Sequence, residues 1–203
     1  GVSQVEGSDP RHASSDLRRL VLVAFVSLVA FSGFEATFSL LAELRLDLGP
    51  TGVGAVFTAI GVVLVLVQVR LVGPANARLG ETGALRAGLA ANAIGLLLLA
   101  VDGGWVLLVP GLVLLCAGQG LVTPTLSSAV GGRAHADRRG SAYGLQQSAG
   151  GLARVVGPAL AGLLFQDAGA AAPYVFGAAL VVAALALVPG VTDHRQLAYV
   201  TER

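Results

Sequence analysis

Charged and chemically reactive side chains are scarce in this sequence of 203 residues. It contains no lysine, no methionine, only 12% charged residues and a single cysteine, Cys116. One cysteine cannot build a disulfide framework or a cysteine-based zinc site within the chain. Because lysine is absent, no phosphate-binding loop can end in Gly-Lys-Ser or Gly-Lys-Thr, so the chain by itself is not an ATP-driven pump.

Patterns that carry catalysis or metal binding are also missing. The three histidines, His12, His135 and His194, lie in polar segments, and no serine stands in a Gly-x-Ser-x-Gly setting. An intramembrane hydrolase needs a nucleophile beside a base, and a metal site needs clustered ligands. We therefore expect no enzyme activity, no cofactor, no metal ion and no nucleic-acid partner.

Apolar residues dominate the chain, at 55% of the sequence and a mean hydropathy of +0.78. They form continuous runs, each near the roughly 20 residues that a helix needs to cross a bilayer, although the last is short. Continuous runs favour helices over the alternating strands of a membrane barrel. The sequence therefore predicts an all-α membrane protein with six transmembrane helices, at residues 20–41, 52–71, 85–101, 105–126, 141–165 and 173–188.

The arginines predict the orientation of these six spans. If the first tail is cytoplasmic, eleven arginines fall in inner segments and only Arg45 falls in an outer loop, as the positive-inside rule requires. The protein would then lie in the cell membrane with both of its termini in the cytoplasm. We divide the chain into a cytoplasmic tail at residues 1–16, a transmembrane bundle at 17–188 and a second cytoplasmic tail at 189–203. We expect the sequence to be a piece of a longer protein.

Glycine is abundant, with 28 residues, many of them inside the spans. Lipid provides no hydrophobic force that would drive helices together, so small residues help by letting backbones approach closely. This composition indicates tightly packed helices.

Two isolated charges lie inside the spans. Arg154 shares a helical face with Tyr143 and Gln147, opposite a face of leucines, and Glu35 shares a face with Ser32 in the first span. Glu35 lies sixteen residues after Arg19, and Arg154 fifteen after Arg139, so both lie at a similar depth. An ion pair is therefore possible. The alternatives are that Glu35 merely meets water and that Arg154 binds helix-end carbonyls.

Polar residues are unevenly distributed among the spans, which is typical of a carrier or channel with wet and lipid-facing helices. The first, fourth and fifth spans hold most of them. The candidate residues for a substrate or proton pathway are Glu35, Arg154, Gln119, Gln147, Ser32 and Tyr143.

Several stretches resemble the C-terminal half of a major facilitator superfamily transporter. The loop "RLVGPANARLGETG" is similar to that family's signature loop, with Gly73, Arg78 and Gly80 matching and Ala77 replacing the usual aspartate. The stretch "RRGSAYGLQQSAGGLARVVGPALAG" resembles the family's eleventh helix. Within it, Gly157 and Pro158 resemble the glycine-proline motif of antiporters, at a position related to the original by pseudo-symmetry.

This resemblance implies a function and a partner. The six spans would be helices seven to twelve, built as two inverted repeats of three helices, and would rock against an N-terminal six-helix half around a central site. The expected activity is transport of a small-molecule substrate across the lipid bilayer, as proton-coupled efflux. The alternative is a self-standing six-helix membrane scaffold or a homodimeric half-transporter.

Overall fold

The computed structural model describes residues 10–134 and 136–188, and nearly all of them are helical. Short connections, including a 3-10 turn at Ala136–Arg138, join the helices. The helices are α1 (Pro10–Leu46), α2 (Pro50–Arg70), α3 (Val72–Ala100), α4 (Gly104–Arg133), α5 (Arg139–Ala168) and α6 (Ala172–Leu187). The predicted all-α fold with six helices is confirmed.

Within the described part of the chain, five helices, α1 to α5, are long and apolar enough to cross a membrane. The sixth, α6, is apolar but has only 16 residues. α1 begins at Pro10, so it extends into the segment 1–16 for which a tail was predicted. Residues 1–9 and 189–203, which hold the rest of the two predicted tails, lie outside the described residues.

Three contacts, together with the short connections that lead into and out of α2 and α5, define the directions of the helices. Arg133 at the end of α4 pairs with Glu81 near the start of α3, and Arg86 of α3 donates to the carbonyl of Val188 after α6. Arg45 near the end of α1 donates to the carbonyl of Leu99 near the end of α3. Successive helices therefore alternate in direction. We call the end that holds the starts of α1, α3 and α5 the arginine-rich end, and the opposite end the far end.

The helix packing has an internal symmetry. α1 packs on α5 and α6, while α4 packs on α2 and α3; the remaining main contacts are α1 with α4 and α3 with α6. If the labels α1 and α4, α2 and α5, and α3 and α6 are exchanged, the same set of helix contacts results. A bundle of two equivalent three-helix units has this property, which agrees with the repeat that the family resemblance implies.

Glycines bring the backbones of α3 and α4 into direct contact. A Cβ atom added at Gly95 would lie 2.5 Å from the Leu115 nitrogen, and one added at Gly118 would lie 2.5 Å from the Gly88 carbonyl oxygen. Each helix has two such glycines seven residues apart, Gly88 and Gly95 on α3 and Gly111 and Gly118 on α4. Close approach of this kind is the packing expected of small residues in membrane helices.

Aromatic side chains pack along α1 where it meets α2 and α6. The rings of Phe34 and Phe38 lie 5.4 Å apart, Phe38 meets Phe57 edge-on at 5.6 Å, and Phe34 meets Tyr174 at 6.5 Å. Tilted and edge-on pairs at these separations are favourable beyond the area they bury. They join α1 to both α2 and α6.

Arg45, the one arginine predicted for an outer loop, caps α3 at the far end. Its Nη1 donates to the Leu99 carbonyl at 2.9 Å, and its Nη2 donates to the Ala100 carbonyl at 3.0 Å. The last carbonyls of a helix lack intrahelical donors and carry the negative end of the helix dipole. This local role explains why an arginine is found at the end that otherwise lacks them.

Gly80 divides α3 into a short first helix and the long span. Its φ of 68° and ψ of 172° lie in a region that is essentially restricted to glycine. The predicted loop between the second and third spans is therefore mostly helical, with the break at the last glycine of the signature motif. Asn76, in the short helix, reaches Thr125 of α4 at 3.4 Å.

Replacing Gly80 with alanine is expected to destabilise the protein by about 1–3 kcal/mol, because the backbone there is unfavourable for any residue with a Cβ atom. Gly73→Ala in the same motif is the matched control, since an added Cβ there meets nothing within 4 Å. Thermal unfolding of the complete protein in detergent measures the difference. Equal midpoints for the two variants would contradict the assignment of strain to Gly80.

Candidate functional site

The candidate site is built around the crossing of α1 and α5. Ser32 of α1 donates a hydrogen bond of 3.1 Å to the carbonyl of Ala153 in α5. A Cβ atom added at Gly157 would collide with Ser32 Oγ, and one added at Gly33 would lie 3.1 Å from Ala161 Cβ. Small residues on both helices thus allow the two backbones to touch at this level of the bundle.

This crossing brings Glu35 and Arg154 to nearly the same depth. Glu35 lies three residues after Ser32 and Arg154 one residue after Ala153, in helices that run in the same direction. At 1.5 Å per residue, their Cα atoms differ by about 3 Å in height. The similar depth expected from the sequence is therefore found.

Both charges are exposed, and they do not form a close ion pair. Among residues 15–134 and 137–188, whose side chains the structure describes, the one carboxylate-arginine pair within 4 Å is Glu81 with Arg133. Glu35 and Arg154 are near enough for an electrostatic interaction, and both residues are exposed. Of the possibilities that the sequence left open, the direct ion pair is therefore not found between these two residues.

Gln147 and Tyr143 continue the exposed polar strip along α5 towards the arginine-rich end. Gln147 is exposed, and Tyr143 has 43% of its surface accessible, with its hydroxyl against Gly131 of α4. We call Glu35, Tyr143, Gln147 and Arg154 the polar strip. Leu145, Leu152 and Leu163 form a separate exposed surface of α5, each more than half accessible.

Two of the predicted pathway residues are buried between helices instead. Ser32 has 4% of its surface accessible and Gln119 has 5%. Gln119 of α4 accepts a hydrogen bond of 2.9 Å from Asn92 of α3 and donates to Thr123 at 3.2 Å. Hydrogen bonds between polar side chains are a common way to join membrane helices. In this structure Ser32 and Gln119 therefore join helices and do not line the strip.

Two polar residues outside the set of candidate pathway residues also connect helices. Asn92 is fully buried, and Gln146 donates to Ser127 of α4 at 3.2 Å. The sequence feature that could have identified Asn92 is that it is a single asparagine in an otherwise apolar span. Neither side chain belongs to the exposed strip.

The motif residues are close to the arginine-rich end or to the crossing. Gly80 makes the break in α3, Arg78 and Gly73 are exposed, and Gly157 lies at the α1–α5 contact with Pro158 next to it. Across the described ranges, no three histidine, cysteine, aspartate or glutamate residues come together as metal ligands. The site thus consists of one carboxylate, one guanidinium and neutral polar groups.

α5, which carries three of the four residues of the strip, is one of the two least covered of the five long helices. α2 and α5 bury far less of their apolar surface inside the bundle than α1, α3 and α4 do. An uncovered membrane helix that carries a charge normally faces protein or a water-filled cavity, since exposing the charge to lipid costs several kcal/mol.

Comparison with known proteins identifies the family. A sequence model of the Major Facilitator Superfamily matches residues 20–197. The chain is 34% identical over 175 residues to human major facilitator superfamily domain-containing protein 10, covering 82% of this chain and 37% of that protein. It is 29% identical over 168 residues to multidrug resistance protein 2 of Bacillus subtilis (strain 168), covering 82% of this chain and 41% of the relative.

A solved structure shares the fold. The crystal structure of the human organic anion transporter MFSD10 (TETRAN) matches with a TM-score of 0.80 and 31% sequence identity, covering 91% of this chain and 43% of that one. The chain thus spans about two fifths of the length of these relatives. Because the family model covers most of the chain and the human relative is 34% identical over the 175 aligned residues, the chain belongs to the major facilitator superfamily, whose members are membrane transporters and not enzymes.

Proposed function

We propose that this chain is the C-terminal six-helix half of a secondary transporter that exports a small molecule from the cell in exchange for protons. An N-terminal six-helix half would complete it, and the two halves would alternate access to a site between them. The observation that carries the proposal is the polar strip on α1 and α5, which the helices of this chain leave uncovered. The strip would face the second half across a hydrated cavity.

The arginine-rich end would lie on the cytoplasmic side of the cell membrane. Arginines near membrane helix ends favour the cytoplasmic side, and Arg45 at the far end is already satisfied by the carbonyls of α3. This orientation would place both termini in the cytoplasm. It would also place Glu35 in the outer part of the cavity.

Glu35 would carry the proton. Its carboxylate is exposed in the strip, where an ionised group attracts a cationic substrate and a protonated one does not. Proton and substrate would therefore bind there alternately, which is the requirement for exchange. Arg154 would position the carboxylate from α5 by electrostatic attraction, and Gln147 and Tyr143 would offer hydrogen bonds to the substrate.

The names of the relatives support a small organic substrate. One relative is a multidrug resistance protein, and the solved neighbour is described as an organic anion transporter. A strip that contains one carboxylate and one guanidinium can contact groups of either charge. We propose a drug-like molecule, with a positively charged group as the partner of Glu35.

The proposal is tested by reconstituting the complete transporter in liposomes with an acidic interior and offering lipophilic cations, tetracycline-like compounds and organic anions outside. We expect at least one cationic compound to accumulate as protons leave, and the accumulation to collapse when a proton ionophore is added. Accumulation that is insensitive to the ionophore would contradict proton exchange. No gradient-driven uptake of any compound would contradict the transport proposal itself.

A further inference from the structure

An apolar groove runs between the outer surfaces of α3 and α6 at the arginine-rich end. Its volume is about 640 Å³, and its residues are Arg86, Ala87, Ala90, Val182, Leu185, Ala186 and Val188. The small alanine side chains on both helices leave the space between them unfilled. Val182 has 52% of its surface exposed. The groove is open to the surroundings and lies apart from the polar strip on α1 and α5.

Arg86 stands at the mouth of this groove. Its Nη2 donates to the carbonyl of Val188 at 2.9 Å, which holds the guanidinium against the end of α6. A guanidinium has five N–H donors in a fixed plane, so this bond leaves most of them available. Among the residues with described side chains, no carboxylate lies within 4 Å of Arg86, and the nearby Glu81 is paired with Arg133. The exposed positive charge thus lacks an anionic partner within this part of the chain.

We propose that the groove binds an anionic glycerophospholipid, with one acyl chain between α3 and α6 and the headgroup phosphate on Arg86. The charge and the shape both support this occupant. Phosphate accepts paired hydrogen bonds from arginine, and the groove runs about 9 Å along α6 from Val188 to Val182, in the direction of the acyl chains. Basic groups beside pockets between membrane helices are typical anchors for anionic headgroups.

The experiment compares lipid binding by the complete transporter and by three variants. Native mass spectrometry measures the affinities for palmitoyl-oleoyl phosphatidylglycerol and for the zwitterionic phosphatidylcholine with the same chains. Arg86→Gln removes the phosphate contact, and Ala87→Phe narrows the groove while keeping the arginine. Arg70→Gln is the matched control, because Arg70 is an exposed arginine at the same end but does not line the groove.

The wild type and Arg70→Gln are expected to bind phosphatidylglycerol about fivefold more tightly than phosphatidylcholine, the preference that one arginine near the surface provides. Arg86→Gln should bind the two lipids equally, and Ala87→Phe should bind both more weakly. An unchanged preference in Arg86→Gln would overturn the proposal, as would an equal loss in Arg70→Gln. The measurement does not involve transport, so its result is independent of the proposed exchange mechanism.

Discussion

Leucine in place of Gly118 is expected to prevent the complete transporter from reaching its folded state. A Cβ atom at this position would lie 2.5 Å from the Gly88 carbonyl oxygen and 2.6 Å from the Asn92 nitrogen. These are backbone atoms, which cannot rotate away as a side chain can. The helices α3 and α4 would have to separate along their whole contact, and we estimate a cost of about 3 kcal/mol or more.

The yield of monodisperse protein and its midpoint of thermal unfolding in detergent measure this effect. Gly132→Leu is the matched control, because Gly132 lies on the same helix and an added Cβ meets nothing within 4 Å. We expect Gly118→Leu to be recovered in low yield or aggregated, and Gly132→Leu to behave as the wild type. Similar yields and midpoints for the two variants would show that the α3–α4 contact is not as close as the structure has it.

Glu35→Gln is expected to reduce accumulation driven by a pH gradient to the level of liposomes without protein. Glutamine keeps the size and the hydrogen-bonding capacity of the side chain but cannot bind and release a proton. If Glu35 is the proton carrier, the variant loses the link between proton flow and substrate flow. It should still exchange labelled for unlabelled substrate across the membrane at a raised substrate concentration, because that exchange needs no net proton movement, although the cationic group has lost its ionised partner.

Glu43→Gln is the control for this prediction. Glu43 is an exposed carboxylate on the same helix, eight residues further towards the far end, and it does not belong to the polar strip. We expect it to retain gradient-driven accumulation. If Glu35→Gln also retains it, Glu35 is not the proton carrier, and if Glu35→Gln loses exchange as well as accumulation even at saturating substrate, the role of Glu35 is in folding and not in proton transfer.

Hydrophobic run length and arginine placement were sufficient to predict the six helices and their alternation. Both patterns follow from the membrane itself, which requires long apolar helices and biases positive charge to one side. The sequence also predicted that Glu35 and Arg154 lie at similar depths, because the rise of a helix per residue is constant. These features depend on single helices and not on how helices pack.

Features that depend on pairs of helices were harder to predict. Gln119 and Gln147 look alike in sequence, yet Gln119 is buried against Asn92 of α3 and Gln147 is exposed. The glycine count indicated close packing but did not indicate that Gly95 and Gly118 carry the α3–α4 contact. Spacing along a chain reports the faces of one helix, while the partner of each face is decided by tertiary packing.

The central claim is that the polar strip lines a water-filled path while the leucine surface of α5 faces lipid. Labelling of single cysteines by a membrane-impermeant, water-soluble thiol reagent tests it most directly. The native Cys116 has only 1% of its surface accessible and should not react, and any cysteines elsewhere in the complete protein would first be replaced. We predict that Gln147→Cys and Arg154→Cys are labelled while Leu152→Cys and Leu163→Cys are not. Labelling of the leucine positions with protection of positions 147 and 154 would contradict the account.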